Sequence, residues 1–120
     1  MTKVLIAEDD RFLSSAYKMK LTKEQFDVEL AFDGEEAVEK ARSFSPDIII
    51  LDLIMPKKDG FETLKDLSND PKLKTIPVIV SSNLGQKEDI DKALSLGARD
   101  YFVKSDISLN DLILKIKKIV

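Results

Sequence analysis

Short apolar runs alternate along the whole chain with longer segments of helical periodicity, and this alternation constrains the fold more than any other feature. The runs are rich in Val and Ile, which is typical of buried strands. They predict strands at residues 4–7, 28–32, 47–52, 77–81 and 100–103. Because the runs are nearly continuous in apolar residues, they favour a parallel sheet that is covered by helices on both faces.

The segments between the runs carry apolar residues at helical spacing, with charged residues between them. Gly97 predicts the end of the fourth helix, and Ser108 with Asp111 three residues later predicts the start of the fifth. Five strands alternating with five helices predict an α/β, doubly wound (βα)5 domain. The stripes predicted to face the core are Phe12, Leu13, Ala16, Tyr17 and Leu21; Ala37, Val38, Ala41 and Phe44; Phe61, Leu64 and Leu67; Ile90, Ala93, Leu94 and Leu96; and Leu109, Leu112, Ile113, Ile116 and Ile119.

Length and composition narrow the classes of protein and of chemistry. The 120 residues fit one domain over positions 1–120. The absence of cysteine and histidine excludes disulfides, histidine bases and nitrogen or sulfur metal ligands, so a metal would be bound through oxygen as a hard cation. The net charge of -3 argues against direct nucleic-acid binding. Without a signal sequence or a membrane-spanning run, we expect a soluble cytoplasmic protein.

Acidic residues and a lysine follow the predicted strands. Glu8 and Asp9 follow the first, Asp52 ends the third and Lys104 follows the fifth. In the common strand order 2-1-3-4-5, the first strand lies beside the third, and ligands bind at the carboxyl edge. Three close carboxylates need compensation, which a divalent cation and Lys104 would supply. Mg²⁺ suits such a site, and a carboxylate beside it can act as a nucleophile toward phosphorus.

The chain resembles the receiver domains of bacterial two-component response regulators, in particular the stand-alone receivers of the chemotaxis type. The resemblance covers essentially the whole length, and it implies the flavodoxin-like fold with strand order 2-1-3-4-5. The segments that carry it are residues 4–10 (VLIAEDD), 46–56 (PDIIILDLIMP), 59–60 (DG), 77–82 (PVIVSS), 97–98 (GA) and 101–104 (YFVK).

The resemblance also implies a role for each site residue. Asp52 would be the phosphoacceptor, and Lys104 would pair with the phosphoryl group. Ser82, preferred over Ser81 for its spacing, would be the switch hydroxyl, and Tyr101 the switch aromatic. The residues that would hold Mg²⁺, with Mn²⁺ as the alternative ion, are Asp9 directly, Glu8 through water, Asp52, and Ile54 through its backbone carbonyl.

The family resemblance implies a signalling module and not an enzyme acting on other substrates. The resemblance implies that the phosphoryl donor is a phosphohistidine of a sensor histidine kinase or a phosphotransfer protein. Because this chain has no histidine, that donor cannot be internal. Phosphorylation would change the surface formed by the fourth helix, the fifth strand and the fifth helix, which would control a downstream protein. We expect a monomer, or a dimer once phosphorylated, with no direct contact to nucleic acid or membrane.

Two departures from the family pattern carry predictions of their own. Ser105 stands where the family usually has proline, so we predict a trans Lys104–Ser105 peptide bond. Ile54 and Leu84 lie two positions after the phosphoacceptor and two after the switch hydroxyl, and in this family the side chains at those positions influence the hydrolytic water. Both are apolar and cannot orient water by hydrogen bonding, so we hypothesise a long-lived phosphorylated state.

Three alternatives compete with a phosphorylated receiver. A magnesium-dependent phosphatase with an aspartyl nucleophile would need a second acid at position 54, where this chain has Ile54. A flavodoxin-like FMN protein would need a Ser/Thr/Gly-rich phosphate loop after the first strand, where this chain has Glu8, Asp9 and Asp10. A receiver fold that is never phosphorylated is disfavoured by the complete set of acids and lysine.

Overall fold

A computed structural model describes the chain from Met1 to Val120. Five strands and five α-helices alternate, as the sequence predicts, with one additional 3₁₀ turn at Lys104–Asp106. The strands are β1 (Lys3–Ala7), β2 (Asp27–Ala31), β3 (Ile48–Leu51), β4 (Val78–Ser82) and β5 (Asp100–Val103). The helices are α1 (Arg11–Lys23), α2 (Gly34–Phe44), α3 (Gly60–Asn69), α4 (Lys87–Ser95) and α5 (Leu109–Ile119).

The strands form one parallel sheet in the order β2-β1-β3-β4-β5, which confirms the predicted topology. Ala7 lies opposite Leu51, and Leu51 lies opposite Val80, so the carboxyl ends of these three strands share one edge. Asp52 comes directly after β3, and its backbone N–H still donates to the carbonyl oxygen of Ala7 at 3.0 Å. The register therefore brings the polar residues that follow β1 and β3 side by side.

Two apolar layers cover the sheet, one on each face. One layer contains buried residues of α2, α3 and α4, such as Val38, Leu64 and Ala93, packed on alternate strand residues. The other contains buried residues of α1 and α5, such as Leu21 and Ile116, packed on the opposite strand residues. None of the helices reaches the length and apolar character that crossing a bilayer requires.

Side-chain caps fix where the helices begin at the site edge. Asp10 accepts from the N–H of Leu13 at 3.0 Å and starts α1 immediately after the acidic pair. Asp59 caps α3 in the same way, and Gly60 then packs against the residues that follow β3. A Cβ on Gly60 would lie 2.4 Å from Leu53 Cα and 2.5 Å from the carbonyl oxygen of Asp52, so only glycine fits there.

Two residues of the predicted core stripes lie at the surface. Phe12 is 88% exposed in the first turn of α1, and Leu94 is 43% exposed on α4. Each stands beside a residue that does face the core, Leu13 and Ala93 respectively. Apolar character alone does not separate such neighbours, because adjacent helical positions point about 100° apart. The bounds of β1 to β4 differ from the predicted ones by at most one residue at either end, and β5 matches its predicted range 100–103. In β4 the shift makes Ser82 the last residue of the strand.

Candidate functional site

The floor of the site consists of two buried carboxylates joined by one lysine. Glu8 is 3% exposed and Asp52 is 7% exposed. Lys104 Nζ donates to Asp52 Oδ2 at 2.9 Å and also to Glu8 Oε1. The ammonium group of Lys104, which follows β5, thus contacts both the acid that follows β1 and the acid that follows β3. The sequence predicted this meeting of the three side chains, and the structure confirms it.

The site holds more negative charge than Lys104 compensates. Burial raises the pKa of Glu8, and the nearby Asp52 raises it further, against the opposing hydrogen bond from Lys104. Burial lowers the pKa of Lys104, but its hydrogen bonds to Glu8 and Asp52 outweigh that effect and the net pKa is raised. Lys104 therefore remains an ammonium ion at neutral pH, and the cluster favours additional positive charge.

Asp9 completes a set of oxygen ligands beside the floor. One carboxylate oxygen each from Glu8, Asp9 and Asp52 lie within 4.8 Å of one another. Asp9 is exposed, whereas the other two are buried. Carboxylate oxygens partly open to solvent are the donors that a hard divalent cation such as Mg²⁺ takes while it keeps several waters. The donor set therefore fits a hard divalent cation.

The cavity above this floor has a volume of about 270 Å³ and an exposed rim. Asp10, Leu13 and Ile54 line it together with Asn83, the residue directly after β4. Ile54 is 56% exposed, and its N–H donates to Asp52 Oδ1 at 3.3 Å. Asn83 was missed by sequence reasoning, because a single amide after a strand has no spacing or partner that marks it. The only signal was its place between Ser82 and Leu84.

The two hydroxyls at the end of β4 point to opposite faces of the sheet. Ser81 lines a small space with Tyr17 and α5 residues on one face. Ser82 Oγ accepts from the N–H of Leu84 at 3.3 Å, and the Leu84 carbonyl accepts from the Tyr101 hydroxyl. Ser82 is thus linked to Tyr101 through the backbone of Leu84, whereas Ser81 is not. Both serines are buried.

The connection after β5 is a short 3₁₀ turn that begins at Lys104. The chain contains no cis peptide bond, as predicted for Lys104–Ser105. A larger groove of about 610 Å³ lies near Pro46 and Ile76, at the amino ends of β3 and β4. That groove is at the opposite edge of the sheet from the carboxylates, so we place the functional site at the smaller cavity.

Comparison with known proteins gives consistent matches. The sequence model of the response regulator receiver domain matches residues 4–117. The response regulator ArlR of Staphylococcus saprophyticus is 33% identical over 117 residues, which cover 98% of this chain and 51% of ArlR. The chemotaxis protein CheY of Treponema pallidum is 41% identical over 105 residues, covering 85% of this chain and 72% of CheY.

Solved structures agree with the sequence matches. The receiver domain of the Francisella response regulator 1452 superposes with a TM-score of 0.91 at 33% identity, covering 99% of this chain and 96% of that one. This chain spans about half of the length of ArlR, the first of the curated relatives. The parallel sheet, the acidic cluster at its carboxyl edge and these matches lead to one conclusion: the chain belongs to the response regulator receiver domain family.

Proposed function

We propose that Asp52 accepts a phosphoryl group from a phosphohistidine of a partner, either a sensor histidine kinase or a phosphotransfer protein. The observation that carries this proposal is the bridge from Lys104 to both Glu8 and Asp52. A carboxylate oxygen of Asp52 attacks phosphorus and the bond from phosphorus to the histidine nitrogen breaks, which leaves an aspartyl phosphate. Lys104 compensates charge on the phosphoryl oxygens, as phosphoryl transfer requires.

The reaction depends on Mg²⁺, with Mn²⁺ as the alternative ion. Asp9 would hold the ion directly and Glu8 through water, and Asp52 and the backbone carbonyl of Ile54 would supply further oxygen ligands. The proximity of the three carboxylates supports this ligand set. When bound, the cation neutralises negative charge on the carboxylates and on the phosphoryl oxygens.

Phosphorylation changes the surface formed by α4, β5 and α5, and this surface controls a downstream protein. Ser82 Oγ moves toward the phosphoryl group, and Tyr101 responds because both are linked to Leu84. The loop from Asn83 to Gln86 contains Gly85, whose backbone freedom allows it to rearrange. The switch is thus a local electrostatic change that biases a bistable element. The protein acts as a signalling module, with its own phosphorylation and dephosphorylation as its only chemistry.

The direct test is phosphorylation with a small acyl phosphate and Mg²⁺, followed by intact mass spectrometry. We expect a mass gain of one phosphate in the wild type and none in Asp52→Asn, which has a similar size but a weaker nucleophile. Lys104→Met should slow the gain strongly, because it removes the ammonium group from the site. Asp47→Asn, at an exposed acid before β3, is the matched control and should react like the wild type.

The outcomes also separate the rival functions. No mass gain in the wild type would contradict the proposal and favour a receiver fold that is never phosphorylated. Release of phosphate from small phosphoesters over many turnovers would favour a phosphatase. Bound FMN in the purified protein would favour a flavin carrier, although three successive acids after β1 repel phosphate there.

A further inference from the structure

The site cavity has a buried floor and an exposed rim, and the two are made of different residues. Glu8, Asp52 and the largely buried end of Lys104 form the floor. The exposed rim consists of Asp9 and Asp10 after β1, Ile54 after β3 and Asn83 after β4. Solvent water therefore reaches the floor only past these four side chains and the partly buried Leu13.

Hydrolysis of an aspartyl phosphate requires water on the rim side. In an in-line displacement, the attacking and leaving oxygens lie on opposite sides of phosphorus. The leaving oxygen belongs to Asp52, which is on the floor. The attacking water must consequently stand near the rim, within hydrogen-bonding distance of whichever rim side chain can orient it.

Only one rim side chain is suited to orient that water. Asp10 is engaged in capping α1, where it accepts from the Leu13 N–H. Asp9 belongs to the acidic set that fits a cation. Ile54 is apolar and forms no hydrogen bond through its side chain. Asn83 has a neutral carboxamide that both donates and accepts, so it can hold water without repelling the phosphoryl group.

We propose that the carboxamide of Asn83 positions the water that hydrolyses the aspartyl phosphate of Asp52. This inference rests on the proposed phosphorylation of Asp52. The carboxamide oxygen accepts a hydrogen bond from the water and directs its lone pair toward phosphorus. The new oxygen–phosphorus bond forms as the bond between phosphorus and the Asp52 oxygen breaks. The water proton leaves with inorganic phosphate or solvent, and Asp52 returns as a carboxylate.

The test compares phosphoryl lifetimes in the whole chain. Wild type, Asn83→Ala, Asn83→Ser and the control Asn69→Ala are phosphorylated with acetyl phosphate and Mg²⁺, the donor is removed, and the phosphorylated fraction is followed by intact mass. Asn69 is an exposed amide at the end of α3 that does not line the site cavity. Thermal unfolding of all four proteins verifies that each is folded.

We expect Asn83→Ala to lengthen the half-life by about tenfold, equivalent to about 1.4 kcal/mol of lost transition-state stabilisation. Asn83→Ser should recover part of the wild-type rate, because a hydroxyl can also hold water. The initial rate of phosphorylation should change much less, since that step needs no oriented water. A merely structural role would move both rates together and would not be rescued by serine.

Two kinds of result would overturn this inference while leaving the phosphorylation proposal standing. An Asn83→Ala half-life equal to or shorter than that of the wild type would show that the carboxamide does not promote hydrolysis. Equal losses in the phosphorylation and hydrolysis rates would indicate general distortion of the site. A wild type that gains no phosphate would instead overturn the phosphorylation proposal itself, and this inference with it.

Discussion

The hydroxyl of Tyr101 donates a hydrogen bond to the backbone carbonyl oxygen of Leu84. The N–H of the same Leu84 donates to Ser82 Oγ at 3.3 Å. Burial raises the pKa of Tyr101, so its hydroxyl remains protonated and able to donate at neutral pH. Leu84 therefore connects the hydroxyl at the end of β4 to the aromatic side chain on β5.

Tyr101→Phe should lower the free energy of unfolding by about 1 kcal/mol, the usual contribution of one such hydrogen bond. The ring remains and keeps its packing against the layer of α2, α3 and α4. Phosphorylation by a small acyl phosphate should persist, because Tyr101 does not line the site cavity. Urea unfolding measures the first effect and mass spectrometry the second. An unchanged free energy of unfolding would show that the Leu84 bond does not stabilise the fold.

Asp9→Asn should stabilise the protein in metal-free buffer and remove its response to Mg²⁺. Asp9 lies within 4.8 Å of two other carboxylates, and it is exposed, so relief of the repulsion is worth about 1 kcal/mol. In the wild type, Mg²⁺ at 100 times its dissociation constant should stabilise the fold by about 2.7 kcal/mol. Thermal unfolding with Mg²⁺ and with a chelator measures both effects.

Asp10→Asn is the matched control for the Asp9 variant. Asparagine caps helices about as well as aspartate, and Asp10 lies next to Asp9 in the chain but caps α1. We expect this control to keep the Mg²⁺-dependent stabilisation. Loss of that response in both variants would point to the total charge of the segment and would argue against Asp9 as a specific ligand.

The sequence was sufficient to predict the fold and the three-residue floor of the site. Near-continuous apolar runs such as Ile48–Leu51 are buried on both faces, and parallel strands bring their carboxyl ends to one edge. The 3₁₀ turn at Lys104 was not predicted, because three residues carry too little periodicity. Asn83 was missed because its importance depends on which residues surround the opening, and that is a property of the folded chain.

The end of α1 shows why some boundaries could not be predicted. Gln25 has a φ of 72°, a left-handed conformation that usually signals glycine. The N–H of Phe26 donates to the carbonyl of Leu21, and that of Gln25 to Thr22, both at 3.1 Å. These are the two bonds of a Schellman motif. Without the glycine, no sequence signal marked this helix end, whereas Gly97 correctly marked the end of α4.

Gln25→Gly should raise the free energy of unfolding by up to about 1 kcal/mol. Glycine adopts the left-handed conformation without the steric cost that Gln25 bears, a gain partly offset by its greater freedom in the unfolded chain. The converse substitution is Gly97→Ala, at a glycine whose φ is 112° and where an added Cβ would lie 2.4 Å from Ser68 Oγ. That variant should be less stable than the wild type. Urea unfolding of both tests the pair, and a destabilised Gln25→Gly would contradict the prediction.

The last prediction concerns how long Asp52 keeps its phosphoryl group. The family resemblance implies that the side chains at positions 54 and 84 influence the hydrolytic water, and both are apolar here. Ile54 forms part of the exposed rim, whereas Leu84 packs against the apolar layer of α2, α3 and α4. We therefore expect the isolated phosphorylated protein with Mg²⁺ to have a half-life of minutes or longer.

Ile54→Asn should shorten that half-life by about tenfold, because a second carboxamide would join Asn83 at the rim and lower the barrier by about 1.4 kcal/mol. Leu114→Asn, at an exposed apolar residue of α5, controls for the change of surface polarity and should leave the half-life unchanged. A wild-type half-life of only seconds would contradict the expected long-lived phosphorylated state. It would mean that Asn83 alone orients the water efficiently and that the apolar residues at positions 54 and 84 do not limit hydrolysis.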